Sequence, residues 1–138
     1  MADVKVTALD HIVLNVGNVQ RSLEFYTRVL GLRAERVEEF QQGRVGFPSV
    51  RINDDTIIDL FPAAESEGGQ PARGKRECNL NHFCLVVGNE DVAGVADHLK
   101  ANGVIIHQGP VSRWGARGRA TSVYFLDPDG NEIEIRSY

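Results

Sequence analysis

The sequence predicts an α+β fold built from two βαβββ modules, and three observations carry that prediction. A ten-residue phrase is written twice, LDHIVLNVGN at 9–18 and LNHFCLVVGN at 80–89, with six of ten positions identical. Each copy is followed by a segment of helical periodicity that stops at a glycine, and each half then runs into short β-rich segments joined by turns. A repeat of this kind has to be found first, because one copy defines a supersecondary unit and the fold follows from that unit.

Taken in order, the first copy reads as a strand. It leads into VQRSLEFYTRVLGL, where Val19, Leu23, Tyr26 and Leu30 draw one stripe on a helix, with Asn18 as N-cap and Gly31 as the stop. GRVGFPSVRIN and DDTIIDLFP then read as strands around the polar turn Asn53-Asp54-Asp55. Residues 63–77, AAESEGGQPARGKRE, are small, charged and glycine-rich, the composition of a connection between modules at about 7–62 and 78–138. After the second copy, EDVAGVADHLKANGV repeats the helix with Val92, Val95, Ala96 and Leu99 and ends at Gly103. ATSVYFLDPDGNEIEIRSY closes the chain as a hairpin whose turn, Asp127-Pro128-Asp129-Gly130, supplies proline to fix φ and glycine to take a positive one.

Composition bounds the function. At 138 residues and 42% hydrophobic the chain suffices for a single domain, 1–138, and the net charge of −4 argues against nucleic acid or an anionic membrane as the main partner. Cys78 and Cys84 form no CxxC pair, no apolar run is long enough to span a bilayer, and the N-terminus has no leader pattern, so a cytoplasmic protein with a small-molecule ligand is the expectation.

The repeat carries a histidine, His11 and then His82, at the same place in each strand. Side chains alternate along a strand, so His11 shares a face with Leu9, Val13 and Asn15. Asp59 and Glu134 each lie between two aliphatic residues near the end of their half, 48 residues after His11 and 52 after His82. Glu132, Glu134 and Arg136 share one face, and the aliphatic bracket selects Glu134. If two equivalent halves pack about a pseudo-two-fold, His11, Asp59, His82 and Glu134 converge as a ligand set for a divalent transition metal. A turn-capping or edge-strand aspartate explains Asp59 equally well. His98, within a helix, and His107, at a strand end, are read as structural or solvent-facing.

Substrate contacts are sought in SRWGARGRA, read as a mobile loop whose Arg113, Arg117 and Arg119 clamp an anion and whose Trp114 forms a lid. A solvated basic loop accounts for the same residues. Phe47, Phe61 and Tyr124 are candidate pocket walls, which core packing also explains.

The motifs LDHIVLNVGNVQRSLEFYTRVLGL, LNHFCLVVGN and FLDPDGNEIEI together resemble the vicinal oxygen chelate superfamily, which includes glyoxalase I, fosfomycin-resistance enzymes, extradiol dioxygenases and bleomycin-resistance proteins. The C-terminal stretch from Gly109 also resembles a glyoxalase-like single-domain branch. The resemblance implies two βαβββ modules forming a curved mixed sheet around a metal, with ligands at His11, His82 and Glu134. Asp59 stands where the glyoxalase I branch has a glutamate, one methylene longer. The resemblance further implies zinc, nickel, manganese, cobalt or iron(II), with two open positions for neighbouring substrate oxygens and Lewis-acid catalysis. Glu134 is then the ligating carboxylate able to act as general base. Lyase, isomerase or transferase chemistry, an extradiol dioxygenase with iron(II), and a metal-free sequestering protein all belong to this superfamily. Its single-chain members imply a homodimer, with each site inside one chain or shared by two.

Overall fold

The structure, a computed structural model, describes residues 7–63, 80–88 and 91–138. Most of the expected linker, Cys78 and Asn89 lie outside the described residues. Contacts group the chain into two units, residues 1–70 and 71–138.

The first unit contains β1 (His11–Val16), α1 (Val19–Glu24), β2 (Arg33–Glu35), α2 (Val37–Gln41), β3 (Ser49–Arg51) and β4 (Ile57–Pro62). Its sheet has the order β1-β4-β3-β2, with β1 parallel to β4 and the other pairs antiparallel. The second unit contains β5 (Phe83–Val86), α3 (Val92–Ala101), β6 (Gln108–Gly115), β7 (Gly118–Leu126) and β8 (Glu132–Ser137). Its order, β5-β8-β7-β6 with β5 parallel to β8, is the same topology. The predicted pair of βαβββ units is the observed fold class.

Alternation sets what each sheet buries. Leu14 and Val16 of β1 turn inward with Val50, Ile58 and Leu60, and are covered by Leu23, Phe25, Tyr26 and Val29 of the helix. In the second unit Val123, Phe125, Ile133 and Ile135 lie under Val92, Val95, Ala96 and Leu99 of α3, which packs on β7 and β8. Each such valine, leucine, isoleucine or phenylalanine contributes about 1.5–3 kcal/mol on burial, so the apolar face holds the sheet and the opposite face is left for polar side chains.

Local signals explain the helix ends. The Asn18 Oδ1 accepts from the Arg21 N–H at 2.9 Å, the Asp91 Oδ1 from the Gly94 N–H at 2.7 Å, and Gly31 and Gly103 take φ of 73° and 80°. In the second unit the four predicted helix positions are all buried.

Three local expectations are corrected. Beyond Glu24 the first helix widens into a π-helical turn, Phe25–Val29, closed by Leu30 N–H to Phe25 C=O at 3.2 Å. That turn rotates the stripe, so Val29 is buried and Leu30 only half so. GRVGFPSVRIN is strand only over Ser49–Arg51, since Pro48 has no N–H for a ladder and the short helix α2 ends just before it. SRWGARGRA is no loop. Its residues are the ends of β6 and β7, paired through Gly115↔Gly118 around a two-residue turn at Ala116 and Arg117. The final turn is as read, with the Asp127 carboxylate accepting from the Asp129 and Asn131 N–H groups at 2.9 and 2.8 Å.

Candidate functional site

The pairing register decides which carboxylates correspond. Val13, two residues after His11, lies opposite Asp59, and Cys84, two residues after His82, lies opposite Glu134. Asp59 and Glu134 therefore occupy equivalent places, each on its unit's polar face with the residue two beyond the histidine as neighbour.

In the second unit the two members meet. His82 Nε2 lies 3.2 Å from Glu134 Oε1. The other oxygen of Glu134, Oε2, accepts from the Ser122 hydroxyl at 2.6 Å and from the Arg136 Nε–H at 3.3 Å. Burial pushes the Glu134 pKa up, but the Ser122 and Tyr124 hydrogen bonds and the Arg136 and His82 charges outweigh it and hold the carboxyl below its ordinary value. The Tyr124 ring packs edge-on against His82 at 5.6 Å between centroids. Burial, then the nearby Glu134, raises the Tyr124 hydroxyl, against the influence of Arg113. The Cys84 thiol is pushed up to about 11, by burial first and the Glu134 charge second, so it is a neutral thiol near pH 7.

Arg136 is 2% exposed and spends its donors on protein. Nη1 donates to the Tyr138 hydroxyl at 3.0 Å and the Gly118 carbonyl at 3.4 Å, and Nη2 to the Arg113 and Trp114 carbonyls at 3.0 and 3.2 Å. The guanidinium thus ties the β6–β7 hairpin to Glu134. A Cβ on Gly115 would meet Arg136 Nη1 at 1.6 Å, so a larger residue here has to displace the guanidinium.

In the first unit Asp59, 6% exposed, accepts on Oδ1 from the Ser49 hydroxyl at 2.6 Å and from Arg36 Nη2 at 3.2 Å. His11 is half-exposed on the same face. Its Nδ1 pairs with Asp10 Oδ2 at 2.7 Å, which raises the imidazole pKa, with a smaller contribution from the Asp59 charge.

One feature recurs in both units and was not assigned from the sequence. The Nδ1 of each repeated histidine is engaged by the side-chain oxygen of the residue before it, Asp10 or Asn81, at 2.7 Å in each case. An oxygen acceptor at Nδ1 selects the neutral tautomer with its proton on Nδ1, and in that form the lone pair is on Nε2, the state in which imidazole ligates a metal. Among the described residues no three His, Cys, Asp or Glu side chains are grouped to hold an ion; each unit offers a histidine and a carboxylate.

The proposed substrate residues separate by alternation. Arg113, paired with Ala120, and Tyr124 share the face of Glu134. Trp114 and Arg119 point to the opposite face, where the guanidinium lies over the indole at 4.8 Å. Arg117, at the turn, lies over the Tyr138 ring at 4.3 Å. Ser49, Ser122, Arg36 and Arg136 were not picked out, although alternation already puts Arg136 on the Glu134 face. His107 pairs with Glu132, Nε2 to Oε1 at 3.0 Å.

Comparison with known proteins gives one family. The model for the Glyoxalase/Bleomycin resistance protein/Dioxygenase superfamily matches residues 8–135. The chain is similar to the glyoxalase domain-containing protein RDO1 of Mycosarcoma maydis, 34% identical over 137 residues, covering 98% of this chain and 70% of that protein. It is 28% identical over 128 residues to the lactoylglutathione lyase of Escherichia coli O157:H7, covering 91% and 88%. A solved structure from the mobile metagenome of V. Pseudocholerae matches with a TM-score of 0.75 at 31% identity, covering 98% of this chain and 97% of that one.

Proposed function

The chain belongs to the Glyoxalase/Bleomycin resistance protein/Dioxygenase superfamily, and from that premise we propose that it is a divalent-metal-dependent enzyme of the glyoxalase-like type, with His11, His82 and Glu134 as the metal ligands. The observation that carries the proposal is the doubled Nδ1 hydrogen bond, to Asp10 and to Asn81, which prepares Nε2 of each histidine as a neutral donor. Glu134 completes the set, because its Oε1 is directed at His82 Nε2 while Oε2 is held by Ser122 and Arg136. Two imidazoles and one carboxylate suit zinc, nickel, manganese, cobalt or iron(II).

Asp59 is assigned a different role. It is shorter than Glu134, its Oδ1 is taken by Ser49 and Arg36, and no hydrogen bond links it to His11 among the described residues. It serves here as the carboxylate that holds Arg36.

The metal when bound supplies Lewis-acid stabilisation of charge on two neighbouring oxygens of a small substrate, and this chain's residues do the rest. Glu134 is fixed through one oxygen, so any proton it carries during turnover sits on Oε1. Tyr124, packed on His82 and bonded to Glu134, keeps water from one side of that carboxylate. The lactoylglutathione lyase relative favours lyase or isomerase chemistry among those open to the superfamily. The homodimer belongs to the same proposal and is read by sedimentation.

Metal content of tag-free protein is the test, with His11→Ala, His82→Ala, Glu134→Ala and Asp59→Asn compared. The first three variants are expected to lose at least tenfold in metal affinity and Asp59→Asn much less. Protein that stays metal-free after incubation with zinc, nickel, manganese and iron(II) overturns the reading in favour of a sequestering protein. Turnover of the hemithioacetal of methylglyoxal and glutathione supports it, and oxygen uptake with a catechol under iron(II) replaces it with a dioxygenase.

A further inference from the structure

We infer that Arg36 is the anion-binding residue of a site for a small organic carboxylate whose apolar body lies against Phe47 and Phe61. Arg36 is the one non-glycine residue with positive φ among the described residues, at φ 60° and ψ 22°. The left-handed conformation is unfavourable for a residue with a Cβ, and an outlier of that kind points to a side chain that has to be delivered to a particular place. The place is the polar face of the first unit, where Nη2 is gripped by Asp59 Oδ1 and the Ser49 hydroxyl and the guanidinium lies over the Phe47 ring at 5.2 Å.

Neutralising Asp59 does not account for the rest of the group. Arg136 performs the same service for Glu134, but it is buried and its nitrogens all donate to protein acceptors. Arg36 has a side chain 40% exposed, and its Nε and Nη1 make no hydrogen bond among the described residues. A guanidinium whose orientation is fixed at one nitrogen, with its remaining N–H groups open, is preorganised for a planar two-oxygen partner. Beside it the Phe47 and Phe61 rings stack at 4.4 Å, and Phe61 and Val13, which share the face of His11 and Asp59, are 37% and 44% exposed. An anion alone has no use for that apolar surface, whereas an acid with an apolar body does.

That this acid is the enzyme's substrate rests on the metal reading above; its binding does not. The test is a two-dimensional amide NMR titration of the full chain with benzoate, using benzyl alcohol to remove the charge and acetate to remove the body. Benzoate is expected to give saturable shifts centred on Arg36, Phe47 and Phe61, with each control at least tenfold weaker. Arg36→Asn, whose replacement tolerates the left-handed backbone, is expected to weaken benzoate at least tenfold while leaving the rest of the amide spectrum in place. Phe47→Ala is expected to weaken it severalfold. Wild-type protein without saturable shifts, benzyl alcohol binding as tightly as benzoate, or Arg36→Asn binding within twofold of wild type overturns the inference. Zinc uptake measured on the same samples separates the two proposals: Arg36-dependent benzoate binding in a protein that takes up no metal leaves the anion site standing and removes the metal.

Discussion

The two units place equivalent carboxylates at equivalent points of the same ladder and anchor them from different positions. Asp59 faces Ser49 across β3 and β4, and Glu134 faces Tyr124 across β7 and β8. One step further along the second unit's ladder Ser122 faces Arg136, and these two hold the carboxylate. At the corresponding step in the first unit stand Phe47 and Phe61, stacked on one another, and the holding is done by Ser49 and by Arg36 from outside the sheet. A buried carboxylate must have donors, and the fold repeats that requirement without repeating the residues that meet it. The consequence is a polar face whose arginine is saturated in one unit and one whose arginine is part-exposed in the other.

The largest effect that tests this contrast comes from exchanging the two arginines for uncharged residues. Arg136→Met strands a buried carboxylate and removes the partner of three hairpin carbonyls, and is expected to cost about 3–5 kcal/mol in urea unfolding. Arg36→Asn loses the ion pair between a part-exposed guanidinium and the buried Asp59, which keeps its Ser49 hydrogen bond, and relieves a left-handed arginine, so it is expected to change stability by about 1 kcal/mol or less. Comparable losses for the two variants would break the distinction between a saturated and an open guanidinium.

Next in size is Gly115→Ala. The added methyl would lie 1.6 Å from Arg136 Nη1 and 2.5 Å from the Tyr138 hydroxyl, so the guanidinium must leave several of its acceptors. A cost of about 2–3 kcal/mol is expected from those hydrogen bonds, with the shift changes in an NMR spectrum reaching Glu134 through Arg136. A neutral Gly115→Ala would show that the hairpin is not tied down by this side chain.

Much of this frame was legible in the sequence because it is local or periodic. The doubled phrase, the capping Asn18, the glycine stops and the stripe at Val92, Val95, Ala96 and Leu99 depend on neighbours a few residues away. The aliphatic bracket around Asp59 and Glu134 records alternation in a strand, and so identifies equivalent positions without any knowledge of pairing. What escaped depends on pairing across the sheet or on unusual backbone. Arg113–Arg119 has the composition of a loop, and is a hairpin through its pairing across β6 and β7, with Arg136, far along the chain, donating to the carbonyls of Arg113, Trp114 and Gly118. The π-helical turn after Glu24 leaves no mark in a 3.6-residue stripe. Arg36 looks like any surface arginine until its φ is known, and Ser49 and Ser122 are small residues whose role depends on the carboxylate facing them.

The smallest expected effect sharpens the comparison by pH. In the first unit Glu35 chelates Arg51, with Nη2 to Oε2 at 3.2 Å, and the Arg51 hydrogen bond is the main cause that holds the Glu35 carboxyl below its ordinary value. A carboxyl with a depressed folded-state pKa contributes stability above the ordinary glutamate range, and that contribution fades as pH falls through the depressed value. Glu35→Gln is therefore expected to lower the urea midpoint slightly at neutral pH, with the difference from wild type closing at acid pH. The acceptors that hold Arg136 to its hairpin are backbone carbonyls, which do not titrate, so the penalty of Gly115→Ala is expected to persist further into acid than that of Glu35→Gln. If the two penalties fade together, the second unit's polar face owes its hold to Glu134 alone and not to the carbonyls of Arg113, Trp114 and Gly118.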